Sequence, residues 1–213
     1  MRLYLSSFRI GDVPDELVRM AGVGASVAVI ANSCDGAPPD VRAEAVAGEH
    51  ERLGALGLRT GEVDLREFFD GRGHLAAAIA PYDVLWLRGG NVFTLRYAMQ
   101  ASGFDELVLA GLRADGFVYA GYSAGPCVLA PSLRGLEECD DADEVTRLYG
   151  VPPVFDGLGL LDRPFVPHLR SPGHPETELL DAVSAAYSAQ GVEHWQLRDG
   201  QVLVVDGDRR QLL

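Results

Sequence analysis

The chain has 213 residues, a formal net charge of −13 and 47% hydrophobic side chains, enough for a sizeable buried core. The acidic balance argues against a nucleic-acid or anionic-membrane surface, and no apolar run approaches the roughly 18 residues of a transmembrane helix. All 18 basic residues are arginine, which excludes a P-loop lysine, a Schiff-base lysine and a Ser–Lys dyad.

Met1 to Leu5 lacks a signal peptide's long apolar stretch and small-residue cleavage site, and a first strand is expected over Leu3–Phe8. Pro14 and two acids open a short helix. The continuous apolar run Ser26–Ala31 suits a strand buried on both faces of a parallel sheet. Asp40–Leu56 has helical spacing and ends at Gly57. Thr60–Leu65 reads as a third strand, and Leu75–Ile79 as a helix stopped by Pro81. A fourth strand, Asp83–Leu87, runs into Arg88-Gly89-Gly90-Asn91 and a helix from Val92 to Gln100. Helix Phe104–Ala114 and strand Phe117–Ala120 follow. Leu136–Glu144 reads as an acidic, solvated loop. Pro164–His168 is a strand entering a loop, and Pro175–Ala189 a helix. Glu193–Leu197 and Gln201–Val205 read as a closing hairpin around Asp199-Gly200.

With strands alternating with helices and no repeat or linker, the expectation is one α/β domain over 1–213. Its sheet is doubly wound and mostly parallel, flanked by helices, and antiparallel near its C-terminal edge. Ligands in such folds sit at the carboxyl ends of the strands. Gly89-Gly90-Asn91, Ser123 and His168 each follow a strand, so they are placed to meet.

Gly121-Tyr122-Ser123-Ala124-Gly125 is the chemically richest stretch. A strand, a sharp turn and a helix lift the Ser123 hydroxyl off the strand end, and the small neighbours permit a strained backbone there. Without lysine the base for such a serine is a histidine or a carboxylate. His168 is the candidate base, with Asp199 to orient it. Backbone N–H groups of Gly90, Asn91 and Ala124 are candidate oxyanion donors. The α/β-hydrolase order Ser…Asp…His would instead use Ser123, Asp162 and His194. Against it, His194 lies within an apparent strand, and a second Gly-rich strand end precedes the nucleophile.

Three motifs in order, Leu87-Arg88-Gly89-Gly90-Asn91-Val92-Phe93-Thr94-Leu95, Ala120-Gly121-Tyr122-Ser123-Ala124-Gly125 and Val166-Pro167-His168, resemble the peptidase E (aspartyl dipeptidase) family of serine peptidases, family S51. The resemblance covers nearly the whole chain. It implies a class I glutamine amidotransferase-like fold, Ser123 as nucleophile, His168 as base, an acid at the place of Asp199, and oxyanion donors at Gly90 or Asn91 and at Ala124. The expected activity is a serine dipeptidase working through an acyl-enzyme. An esterase or amidase on small acyl substrates and a non-catalytic binding homologue are the alternatives. Aspartyl dipeptidases carry Glu-Thr-Arg after the histidine loop, where this chain has Glu176-Thr177-Glu178. Glu178 and Arg170 are therefore the expected specificity residues, with a preference for N-terminal aspartate in question. The expected partner is a small peptide, with no nucleic acid and no membrane, and the expected state is a monomer or homodimer. No cofactor or metal is expected, since Cys34, Cys127 and Cys139 have no metal-ligand spacing and His168 and His174 lie six apart on a loop. Three such cysteines point to a reduced cytoplasm.

Overall fold

The central parallel strands of this protein are buried and apolar on both sides, so its sheet must be covered twice. The computed structural model describes residues 1–71 and 73–213. It begins with β1 (Arg2–Ser6), β2 (Ser26–Ile30), β3 (Arg59–Glu62), β4 (Val84–Leu87) and β5 (Val118–Tyr122). Two short strands, β6 (Phe165–Val166) and β7 (Trp195–Gln196), pair in parallel outside the main sheet. β8 (Val202–Asp206) and β9 (Arg209–Leu212) complete the main sheet, whose order is β3-β2-β4-β5-β1-β8-β9. The first five strands of that order are parallel, while β1–β8 and β8–β9 are antiparallel.

Alternating strand positions supply the two cores. Tyr4, Val27, Val29, Val84, Trp86 and Tyr122 face helices α1 (Pro14–Ala21) and α2 (Pro39–Gly54). Leu3, Leu5, Ile30, Leu85 and Leu87 face the opposite layer. That layer holds α3 (Leu75–Ile79), α4 (Val92–Ser102), α5 (Phe104–Arg113), α6 (Ala124–Cys127), α7 (Asp143–Tyr149) and α8 (Thr177–Ala189). Asn91 caps α4, its side chain accepting from the Phe93 and Thr94 N–H groups.

Several expectations are corrected. The closing hairpin does not form. β7 pairs with β6, whereas β8 pairs with β1 and makes its hairpin with β9, across Gly207-Asp208. Every residue from Val202 to Val205 is buried, so β8 gains more by lying beside β1, inside the sheet, than beside the partly exposed Trp195–Gln196. Asp199-Gly200 still turns the chain, between the two sheets. The acidic stretch is not a solvated loop: Leu136–Glu138 is a 3₁₀ turn that buries Leu136, and α7 begins at Asp143. The third strand ends at Glu62, and Leu65 starts a 3₁₀ segment.

Candidate active site

Ser123 stands between β5 and α6 with φ 52° and ψ −110°, a conformation that L-residues rarely adopt. The glycines around it answer to the backbone of β4. A Cβ on Gly121 or Gly125 would lie 2.3 or 2.5 Å from the Leu87 carbonyl oxygen, and one on Gly89 would lie 2.9 Å from the Ser123 Cβ. The Ser123 N–H donates to the Ser6 carbonyl at 3.3 Å. Its hydroxyl enters no hydrogen bond among the described residues, so Ser123 and His168 are not joined.

His168 and Asp199 are. Parallel pairing of β6 with β7 sets Val166 opposite Gln196, so the chains leave side by side, and His168 Nδ1 meets Asp199 Oδ1 at 2.6 Å. Ser7, just past β1 and fully buried, ties the pair together. Its hydroxyl accepts the His168 N–H at 2.8 Å and donates to Asp199 Oδ1 at 3.0 Å. Asp199 N–H donates to the Ser171 hydroxyl, and the Thr177 hydroxyl is shared between the His168 and Ser171 carbonyls. These bonds hold His168 at φ 58°, a second strained non-glycine backbone. The end of β1 thus touches both halves of the site, through Ser6 to Ser123 and through Ser7 to His168.

Burial pulls the His168 imidazole down to about 4, although the Asp199 carboxylate works in the other direction. At neutral pH the ring is uncharged. With Nδ1–H given to Asp199, its Nε2 lone pair is free to take a proton. The His174 ring stacks on it at 3.6 Å and 5°, and Phe8 sets its ring edge-on to both. Ligand atoms of His168, His174 and Asp199 lie within 4.8 Å of one another. A metal binds imidazole in the ring plane, however, and two parallel planes 3.6 Å apart offer no common in-plane position.

Of the expected oxyanion donors, the Gly90 and Ala124 N–H groups have no acceptor among the described residues. Asn91 does not serve. Its N–H donates to the Ser33 carbonyl at 2.9 Å, and its side chain is taken up by the α4 cap and by Glu144. A crevice of about 20 Å³, room for about one water-sized group, opens beside Ser123 and is lined also by Cys139, Asp140, Pro167, Glu176 and Leu180. Asp140 accepts from the Val92 N–H at 2.9 Å. Burial, with the nearby Glu176 and Glu144 charges, pushes its carboxyl up to about 7. Arg170 is exposed, and its side chain makes no ion pair or hydrogen bond among the described residues. Glu178 is also exposed, in the first turn of α8, outside the crevice; Glu176 occupies the place expected of it. The Ser123, Asp162 and His194 set is not assembled, since His194 bonds to Ser184 and Asp162 pairs with Arg163 and Arg210.

The model of peptidase family S51 matches residues 41–213. This chain belongs to peptidase family S51. It is a family of serine-type peptidases, and the α/β sheet described above is of the class I glutamine amidotransferase-like kind. The chain is 32% identical over 117 residues to an uncharacterized peptidase of Listeria innocua, a match covering 54% of this chain and 52% of the relative. It is 30% identical over 154 residues to peptidase E of Streptomyces coelicolor, covering 70% of this chain and 59% of the relative. The chain thus spans between about half and two thirds of the length of the curated relatives it matches. A crystal structure described as a candidate peptidase E protein of Listeria monocytogenes superposes with a TM-score of 0.77 at 20% identity, covering 100% of this chain and 97% of that one. At that identity the likeness speaks for the fold.

Sequence reasoning missed the residues that support and line this candidate site. Ser7, Ser171 and Thr177 hold the histidine–aspartate pair, and Asp140 and Glu176 line the crevice. The one available signal was Ser6-Ser7 directly after an apolar strand, where buried hydroxyls need partners.

Proposed function

We propose that this protein is a serine dipeptidase acting on short peptides with a free N-terminus, with Ser123 as nucleophile, His168 as base and Asp199 as orienter. The observation that carries the reading is the pairing of the buried His168 with the half-buried Asp199 at 2.6 Å, anchored through the end of β1 to the strand end that bears a strained Ser123. His168 takes the Ser123 proton on Nε2 as Oγ attacks the peptide carbonyl. Asp199 stabilises the imidazolium that forms, and Gly90 and Ala124 N–H groups receive the oxyanion. His168 then delivers the proton to the leaving amine. Water, activated by the same imidazole, releases the acyl group from Ser123. Ser123 and His168 come into hydrogen-bond contact when substrate fills the site, as catalytic hydrogen bonds commonly tighten in the Michaelis complex.

Asp140 and Glu176 are the groups to receive the substrate's α-ammonium, since the crevice they line opens beside the nucleophile and holds no cation. No arginine lines it, and Glu178 stands outside it. N-terminal aspartate is therefore not strongly preferred over neutral residues. The test compares kcat/KM for Asp-Leu, Asn-Leu and Ala-Leu in the wild type, Ser123→Ala, Arg170→Ala and Glu178→Arg. Ser123→Ala abolishes turnover. A hundredfold wild-type preference for Asp-Leu that Arg170→Ala erases would assign the carboxylate to Arg170 and refute the specificity reading. Turnover of short-chain esters with none of peptides would refute the dipeptidase reading in favour of an esterase.

A further inference from the structure

Glu49 is a fully buried carboxylate in the middle of α2, on the sheet face opposite α6, and the mechanism above does not use it. One oxygen accepts from the Tyr122 hydroxyl at 2.8 Å and from Arg52 at 2.7 Å, and it lies 3.5 Å from Arg88 Nε. The other accepts from the Trp86 indole N–H at 3.0 Å. Removing a carboxylate from water costs several kcal/mol, and an apolar residue in its place would pack between the same elements without that cost. The donors it gathers are informative. Tyr122 immediately precedes the nucleophile, and Arg88 immediately precedes Gly89-Gly90.

Arg88 carries the link one step further. Its Nη1 donates to the Gly89 carbonyl oxygen at 2.6 Å, and the Ser33 hydroxyl approaches the same oxygen at 2.9 Å. The Gly89 carbonyl and the Gly90 N–H belong to one planar trans peptide, so they point in opposite directions. Holding the oxygen on the Arg88 side directs the Gly90 N–H away from it. A peptide between two glycines is otherwise free to turn over, and Gly90, at φ 139°, has a backbone few other residues adopt. We infer that the buried Glu49 and the half-buried Arg88 are a positioning pair that fixes the orientation of the Gly89–Gly90 peptide, and so of the oxyanion donor, while Glu49 holds Tyr122 and with it the nucleophile strand. The inference rests on the serine-hydrolase reading of Ser123.

The test uses the full chain, with Glu49→Gln, Arg88→Met, Tyr122→Phe and the Glu49→Gln/Arg88→Met double variant. The readouts are the second-order rate of Ser123 labelling by a fluorophosphonate, and kcat and KM for Ala-Leu, taken at a temperature where near-ultraviolet circular dichroism shows each variant folded. Glu49→Gln and Arg88→Met each slow labelling and kcat at least tenfold with KM changed less than threefold, and the double variant is no slower than the slower single one. A stabilising role alone would lower the melting temperature and leave the labelling rate of the folded fraction within twofold; that result overturns the inference, as do effects that multiply in the double variant. If Glu49→Gln does not fold, Arg88→Met and Tyr122→Phe decide, because each removes one arm of the network and leaves the carboxylate in place; labelling within twofold of wild type in both overturns it. A wild type that neither labels nor turns over dipeptide refutes the serine-hydrolase reading itself, a failure distinct from the variant results.

Discussion

Replacing Ser123 by glycine should abolish activity and stabilise the fold. At φ 52° and ψ −110° an L-residue carries strain of about 1–3 kcal/mol, which glycine does not. The Ser123 hydroxyl makes no hydrogen bond among the described residues, so the substitution forfeits none there. Against the relief stands the greater freedom of glycine in the unfolded chain, about 0.4–1 kcal/mol. The net expectation is a gain of about 1.3 kcal/mol, within limits of about 0 and 2.6, or roughly 3–5 °C in melting temperature for a chain of this size. Ser123→Ala is the proper reference, since it removes the hydroxyl and keeps the L-residue backbone. Urea unfolding of both variants, with the slope unchanged between them, gives the difference directly. If Ser123→Gly is no more stable than Ser123→Ala, the backbone at the nucleophile is not a store of strain.

Ser7→Ala removes a buried acceptor and donor at once, leaving the His168 N–H unpaired, and should cost about 2–4 kcal/mol in urea unfolding together with a fall in kcat; a loss below about 1 kcal/mol with unchanged kcat would contradict the network. Because His168 is held down to about 4, the acid limb of kcat/KM for a neutral ester, whose binding does not use Asp140, should lie nearer 4 than 6.5, and a limb at 6.5 or above would contradict the burial argument. The linked stability has the same sense: the unfolded histidine takes its proton first, so this contribution is complete above about 6.5 and declines as pH falls towards 4. Asp140, pushed up to about 7, loses its charge as pH falls through neutrality, so KM for free-amine dipeptides should rise between pH 8 and 6 while KM for a neutral ester stays level. Asp140→Asn should raise the dipeptide KM by roughly tenfold to a hundredfold and flatten that pH dependence; an unchanged KM would remove Asp140 from substrate recognition.

The layer architecture was legible because it rests on short-range signals. Continuous apolar runs at Ser26–Ile30 and Val84–Leu87 specify doubly covered parallel strands wherever they lie. Gly121, Ser123 and Gly125 were legible for a related reason, since the strained turn depends on residues within one turn of chain; the approach of Leu87 from β4 to both glycines was not. The pattern of strand ends also drew Gly90, Ser123 and His168 together, with Asp199 added as the orienter candidate, and His168 and Asp199 do meet. Which N–H groups remained available for an oxyanion was not legible. Asn91 looks as suitable as Gly90 until Ser33, remote in sequence, is seen to accept its N–H.

What only the tertiary structure decided is how non-local partners share out burial and hydrogen bonds. Asp199-Gly200 carries a local hairpin signal, yet the buried residues of β8 pair with β1, and Asp199 is left free to meet His168. The acidic stretch from Glu137 to Glu144 reads as solvated by composition. Folding instead sets Asp140 against the Val92 N–H and Glu144 against Asn91, bringing negative charge to the nucleophile's crevice. Glu49 reads as one more charge on an amphipathic helix, and only the meeting of α2 with the ends of β4 and β5 turns it into a buried acceptor for Trp86 and Tyr122. Local sequence determines which conformations each segment can adopt. The donors and acceptors that satisfy a buried polar group come from segments far apart in the chain, and their identity is settled when those segments pack.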